Sequence, residues 1–269
     1  MQTKRTRRVL VLVPALVAAC GNTTGQTVTL HTRLDTDLPA DHTVTTDLGW
    51  TVTVTRLLAA SGALYYFDGE PAFTMAPRRA RWRRALDSLS PIGTAWAHPG
   101  HYVAGNARGE MLAPYTEDLL AGPTDLPDGD GITGQIRSGT FSFANSGEGP
   151  AATALAGHVA IAEGAATKGE QAINFVLTAN LADVSKNARD AAIAGCPFTA
   201  ADVEGDGTVT VTVKPKLWFG FVDFSELAPG TPEAPTVADP STTAYIAFSL
   251  GLVQLSAYQF AFSPSQEAR

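Results

Sequence analysis

An all-β fold, an antiparallel β-sandwich carrying one long irregular insertion loop, is what this sequence predicts. Three observations point to it. Segments such as Trp50–Leu57 (WTVTVTRL) and Thr208–Lys214 (TVTVTVK) alternate large and polar residues at period two, the spacing that puts one face of a strand on a core. Gly, Pro and Asp stand between these segments as turn residues. No strand alternates with a long amphipathic helix, which excludes a Rossmann-type or α/β-barrel plan.

The elements follow in order. Val28–Leu30 opens the folded part. Trp50–Leu57 and Ala63–Phe67 (ALYYF) are strands, after which the pattern fails. Pro71–Ser90 holds a basic stretch that reads as one short helix. Residues 68–131 form the insertion, and loops that long are functional or disordered far more often than structural. Regularity returns with Ile132–Phe143, Ala154–Glu163 and Ala172–Thr178, all read as strands. Thr208–Lys214 and Leu217–Phe224 follow across Pro215, and Ala244–Phe262 supplies two last strands, AYIAFSLGL and SAYQFAF. Only Lys186–Ala194 reads as helix in the second half. About eight short strands separated by turns make the sandwich.

The N-terminus sets the expected location. Lys4, Arg5, Arg7 and Arg8 precede the apolar run Val9–Ala19, which is too short to span a bilayer and ends LVAAC. That ending resembles the lipobox of bacterial lipoproteins, which implies cleavage before Cys20 and acylation of its thiol. Residues 1–19 are then a signal peptide, 20–27 a tether and 28–269 the folded domain. The partner of Cys20 is the lipid bilayer, where each buried CH2 contributes about 0.8 kcal/mol. Gly21 is not an Asp-type retention signal, which favours the outer membrane. With Cys20 acylated, Cys196 is the only other cysteine, so no intramolecular disulfide forms and the core alone holds the fold. Cleavage removes four positive charges and no negative ones, taking the formal net charge from −7 to −11. So acidic a surface argues against nucleic-acid binding.

Chemistry is sought first at His98 and His101, two of only five histidines. His98-Pro99-Gly100-His101 is a β-turn sequence, and the ends of a turn lie within about 7 Å. Two imidazoles that close suit one copper or zinc ion, copper ahead of zinc. A third ligand is then required, and His158 or Glu110 are the candidates, with His31 and His42 in reserve. Trp96 and Tyr102 flank the pair and would wall the site from solvent. The same turn read plainly is a polar loop with its imidazoles bonded to backbone or water. Asp202, Glu204 and Asp206 before Gly207 imitate the first half of a calcium loop, but Val213 stands where the bidentate Glu belongs, so an acidic turn is the better reading. Asp128–Gly131 is read as a second such turn. The five arginines of Arg78–Arg84 form a solvated face or a docking patch. No GxSxG and no phosphate loop is present, and Cys196 lacks a catalytic context. Nothing here asks for an enzyme.

The run of segments TDLGWTVTVTRLLAASGALYYF, GQIRSGTFSF, HVAIAEGAATKGEQAINFVL and VTVTVKPKLWFGFVDF resembles the lipid-anchored or periplasmic β-sandwich proteins related to MbnP, a copper-binding family. The resemblance rests on strand order and words such as LYYF over most of the mature chain. It implies copper handling outside the cytoplasm, a periplasmic dihaem cytochrome as partner, and oxidative modification of a tryptophan near the metal, here Trp96. The alternative reading is a metal-free interaction or complex-assembly module docking through its long loop.

Overall fold

The computed structural model describes residues 25–72, 102–145, 148–185 and 191–265. Fourteen strands appear among them: β1 (Thr27–Thr36), β2 (Thr43–Thr45), β3 (Thr51–Ser61), β4 (Leu64–Phe67), β5 (Ala107–Met111), β6 (Tyr115–Asp118), β7 (Thr124–Ile132), β8 (Gly134–Ser142), β9 (Ala160–Lys168), β10 (Gln171–Ala179), β11 (Ala192–Val203), β12 (Gly207–Val213), β13 (Thr236–Val237) and β14 (Tyr258–Pro264). Three short helices accompany them: α1 (Leu181–Val184), α2 (Pro215–Phe219) and α3 (Thr243–Leu252). None of the described helices is long and apolar enough to cross a membrane.

The chain is mostly β, but the sandwich is corrected. Eight strands close into a barrel in the order β1-β12-β14-β11-β8-β4-β5-β7, and β13-β10-β9-β3-β2 form a second sheet, with β6 added beside β3. Most pairings are antiparallel, yet β1 runs parallel to β12, β10 to β13 and β11 to β14. Closure removes the free sheet edges that an open sandwich leaves.

The barrel interior is a packed core. Val28, Leu30, Thr32 and Leu34 of β1 point inward together with Val209, Val211 and Val213 of β12. An eight-stranded barrel holds side chains but little else, and here three glycines make the fit possible. A Cβ on Gly109 or Gly131 would lie 2.6 Å from Cδ1 of Leu30, and one on Gly139 would lie 2.8 Å from the Phe260 ring. Tyr66 occupies the space, its ring set edge-on to Phe198 and Phe260. The second sheet lays Val52, Leu57, Ala162, Phe175 and Leu177 against the same continuous core.

Several sequence expectations change with this fold. The supposed insertion loop of residues 68–131 contributes β5, β6 and most of β7, so it is structural over that part. Its basic stretch Arg78–Arg84 lies outside the described residues. Asp128–Gly131 is not a turn but runs inside β7, where Gly129 and Gly131 allow close strand contact. AYIAFSLGL is helix α3. The Thr242 side chain accepts a hydrogen bond from the Tyr245 N–H to start it. Leu217–Phe224 begins within α2, which has Pro215 in its first turn, where the missing N–H costs nothing. The residues Ala151–Gly157 form turns, so the strand placed at Ala154–Glu163 starts only at Ala160. Of the expected helix Lys186–Ala194, the residues Ala192–Ala194 belong to β11, and 186–190 lie outside the described residues.

Candidate functional site

Two of the sequence-derived site residues lie in well-defined surroundings that lead to one place. Tyr102 is half-buried, its hydroxyl 2.8 Å from Oγ of Ser138 on β8. Its ring rests on Gly195, a residue with φ +88°, where a Cβ would come within 3.0 Å of the ring. Only glycine adopts that backbone without strain, and here it also clears room for the aromatic. Tyr102 is thereby pinned to the barrel wall. The other is His158, in the turn before β9, not inside a strand as the alternation suggested. Its Nδ1 lies 2.8 Å from Oδ1 of Asn180.

From Asn180 a chain of polar contacts continues. The Asn180 amide donates to the Tyr245 hydroxyl over 3.4 Å, and that hydroxyl donates to Oδ2 of Asp183 over 2.5 Å. The Asn180 backbone N–H donates to the same carboxylate oxygen over 2.7 Å. Burial first, and the adjacent Asp183 carboxylate second, push the Tyr245 phenol up to about 12, so it stays a donor throughout the ordinary pH range. Local sequence explains each position. Asn180 stands just before α1, where its N–H is free to meet the Asp183 side chain three residues on. Tyr245 sits in the first turn of α3, held by the Thr242 cap. The sequence gives no sign that His158, the Asn180–Asp183 pair and Tyr245 meet, because three separate parts of the chain bring them together.

Asp183 also forms part of a cleft of about 910 Å3 whose walls include Tyr102, Val184, Ile193, Leu250 and Leu255. The lining is chiefly apolar, with Asp183 as its charged group. A volume of this size with few, fixed polar groups is the usual form of a small-ligand site. As an expected result, Tyr245→Phe removes the donor to Asp183 and lowers stability by about 1.5–3 kcal/mol, the range for a hydrogen bond to a charged group. Urea denaturation checks it; an unchanged midpoint means that the contact contributes nothing.

The remaining sequence candidates are dispersed. Glu110 stands exposed on β5, opposite Tyr65 of β4 and Asp130 of β7, on the barrel. His158 stands at the head of the second sheet, so the two candidate third ligands occupy different sheets. His31 is exposed, its Nδ1 2.7 Å from Oδ1 of Asp128. His42 lies in a turn with φ 53°. Among the described residues no group of three His, Cys, Asp or Glu side chains is placed to hold a metal. His98, His101, Trp96 and Cys20 lie outside the described residues.

The acidic turn is accounted for by the backbone: Asp206 accepts the Thr29 N–H through Oδ1 at 2.7 Å and ties the β11–β12 turn to β1. Cys196 is fully buried, its thiol donating to the Ile193 carbonyl over 3.0 Å. Burial pushes that thiol up to about 12, so it stays protonated at neutral pH. Comparison with known proteins places nothing beside this chain: no family model, no curated protein and no solved structure matches it.

Proposed function

We propose that the protein is a lipid-anchored module of the bacterial envelope that binds a transition metal, copper ahead of zinc, and stores or delivers it without turnover. Support begins with the export leader ending at Cys20 and the paired histidines of His98-Pro99-Gly100-His101. One observation carries the reading further. Tyr102 follows His101 directly in the chain, and it is fastened to Ser138 and Gly195 in the wall of the cleft. His98 and His101 would hold the metal. Of the two candidate third ligands, His158 is the better prepared, since Asn180 Oδ1 accepts from its Nδ1–H and leaves the Nε2 lone pair free. Metal-binding imidazoles are oriented by such an acceptor on their other nitrogen. When bound, the metal supplies affinity for soft or borderline ligands and, for copper, a one-electron couple.

The expected result is about one equivalent of copper or zinc in protein recovered from a bacterial periplasm, lost in the His98→Ala/His101→Ala double variant. An unchanged urea midpoint of the double variant separates loss of metal from loss of fold. Elemental analysis decides it. Equal metal in both proteins removes the two histidines from the site. A metal-free protein that also takes up no added copper turns the reading to the alternative, a docking module. The apolar cleft, with Leu250 exposed at its rim, favours that alternative. It predicts a partner protein captured by the wild type and released when the arginines of Arg78–Arg84 are reversed in charge.

A further inference from the structure

The barrel and the second sheet are joined by a short link. Strand β6 pairs with β3 in the second sheet, and five residues later the chain enters β7 of the barrel. Cross-strand partners share a face of a sheet, and Glu117 of β6 stands opposite Ala59, whose side chain belongs to the main core. The flanking pairs Leu58–Asp118 and Ala60–Thr116 face the other way, where Leu58 and Ala60 pack in a small separate cluster with Ala151, Leu155 and Ile161. Glu117 is therefore a carboxyl inserted between the two sheets. It is 2% exposed, and its Oε1 has no hydrogen-bond partner. An unpaired buried carboxylate costs several kcal/mol, so a group placed like this is retained in its neutral form.

Its surroundings contain no compensating charge among the described residues. On β3, Arg56 turns to the other face, where it meets Glu163 and the Ala154 carbonyl. On β6, Asp118 accepts the Leu120 N–H. On β7, Asp125 pairs with Arg33 and Asp128 with His31, both on the barrel exterior. On β1, Leu34, which pairs with Thr124, is apolar. What does reach Glu117 is the hydroxyl of Thr124, at the start of β7. That hydroxyl donates to the carbonyl of Gly122 over 3.3 Å. That hydroxyl has one proton and can donate to only one acceptor at a time. A carboxylate needs that proton for itself, and taking it breaks the contact that closes the β6–β7 turn.

We propose that Glu117 makes the seam between barrel and second sheet a pH-sensitive latch, shut while its carboxyl is neutral and loosened when it ionises. Burial is the main cause holding the carboxyl up to about 7, opposed by the Thr124 hydroxyl. The sign follows from linkage. The folded protein keeps this proton to higher pH than the unfolded chain, whose glutamate titrates near about 4.3. Stability from this group is therefore full below about 4.3, falls as pH rises toward 7, and is level above.

The test is urea unfolding of the purified full chain in detergent from pH 4 to 8, wild type against Glu117→Gln. The wild type should lose on the order of several hundred-fold more in its folding equilibrium than the variant across that window. Amide exchange in 115–124, corrected for intrinsic rates, should accelerate in the wild type above neutrality and not in the variant. Should Glu117→Gln fail to fold, a carbon-13 titration of the Glu117 carboxyl in the wild type decides alone. A midpoint near 7 supports the latch. Parallel pH curves for the two proteins, or a carboxyl midpoint near that of a free glutamate, overturn it.

Discussion

Replacing Phe260 with alanine should lower stability by about 3–5 kcal/mol, the range for deleting a large aromatic from a packed core. The position is unusually sensitive for a reason of topology. β11 and β14 share a single paired position, Phe198 with Phe260, where neighbouring strands of the barrel share up to seven or eight. The two rings stack there, with centroids 6.0 Å apart and an interplanar angle of 14°. Tyr66 adds an edge contact from the opposite side of the barrel. Side-chain stacking thus closes the barrel where the backbone ladder is sparse. Thermal and urea melts measure the loss, and amide exchange along β14 should rise with it. A drop of less than about 1 kcal/mol would show that the interior repacks around the cavity and that this seam is not held by the rings.

The second large effect is expected at Gly251, and its sign is the informative part. In an exposed helix interior, glycine to alanine stabilises by about 1 kcal/mol. Gly251 lies in α3 where that helix crosses α2, and a Cβ there would stand 2.4 Å from the carbonyl oxygen of Trp218 and 2.8 Å from its Cα. These are backbone atoms and cannot swing aside. The two helices would have to separate, disturbing the edge-on packing of Trp218 against Phe248. Overpacking of this kind costs about 1–3 kcal/mol or more, which exceeds the propensity gain. Gly251→Ala should therefore destabilise in equilibrium unfolding. A stabilised variant would show that α2 and α3 approach less closely than this.

Much of the strand content was legible because period-two alternation is a local property. Thr51–Ser61, Gln171–Ala179 and Gly207–Val213 each carry it in their own residues, as does the short Leu64–Phe67 through its pair of tyrosines. Helix α3 was misread for a related reason. Its exposed face carries Ile246 and Leu250, as apolar as the buried Tyr245, Phe248 and Leu252, so the segment has no polar stripe to reveal a period of 3.6. The signal that identifies it is the Asp239-Pro240-Ser241-Thr242 run before it, a helix start in place of a strand start.

The candidate site was legible only in part. His158 and Tyr102 were singled out by residue type, but their partners Asn180, Ser138 and Gly195 carry no local mark. Tyr245 and Asp183 are 62 residues apart and meet because α1 and α3 pack together.

By itself the sequence determined a chain built mostly of β-strands and carrying a net negative charge. Each of these depends on composition or on neighbours a few residues away. Only the tertiary structure decided that the strands close into a barrel with a second sheet beside it. Closure depends on register between segments far apart in the chain, such as β1 against β12 and β7. Locally, glycine and aspartate in Asp128–Gly131 signal a turn. Inside a narrow barrel the same glycines are strand residues, because the space their missing side chains leave is filled by the Glu110 carbonyl of β5 at Gly129 and by Leu30 of the adjoining β1 at Gly131.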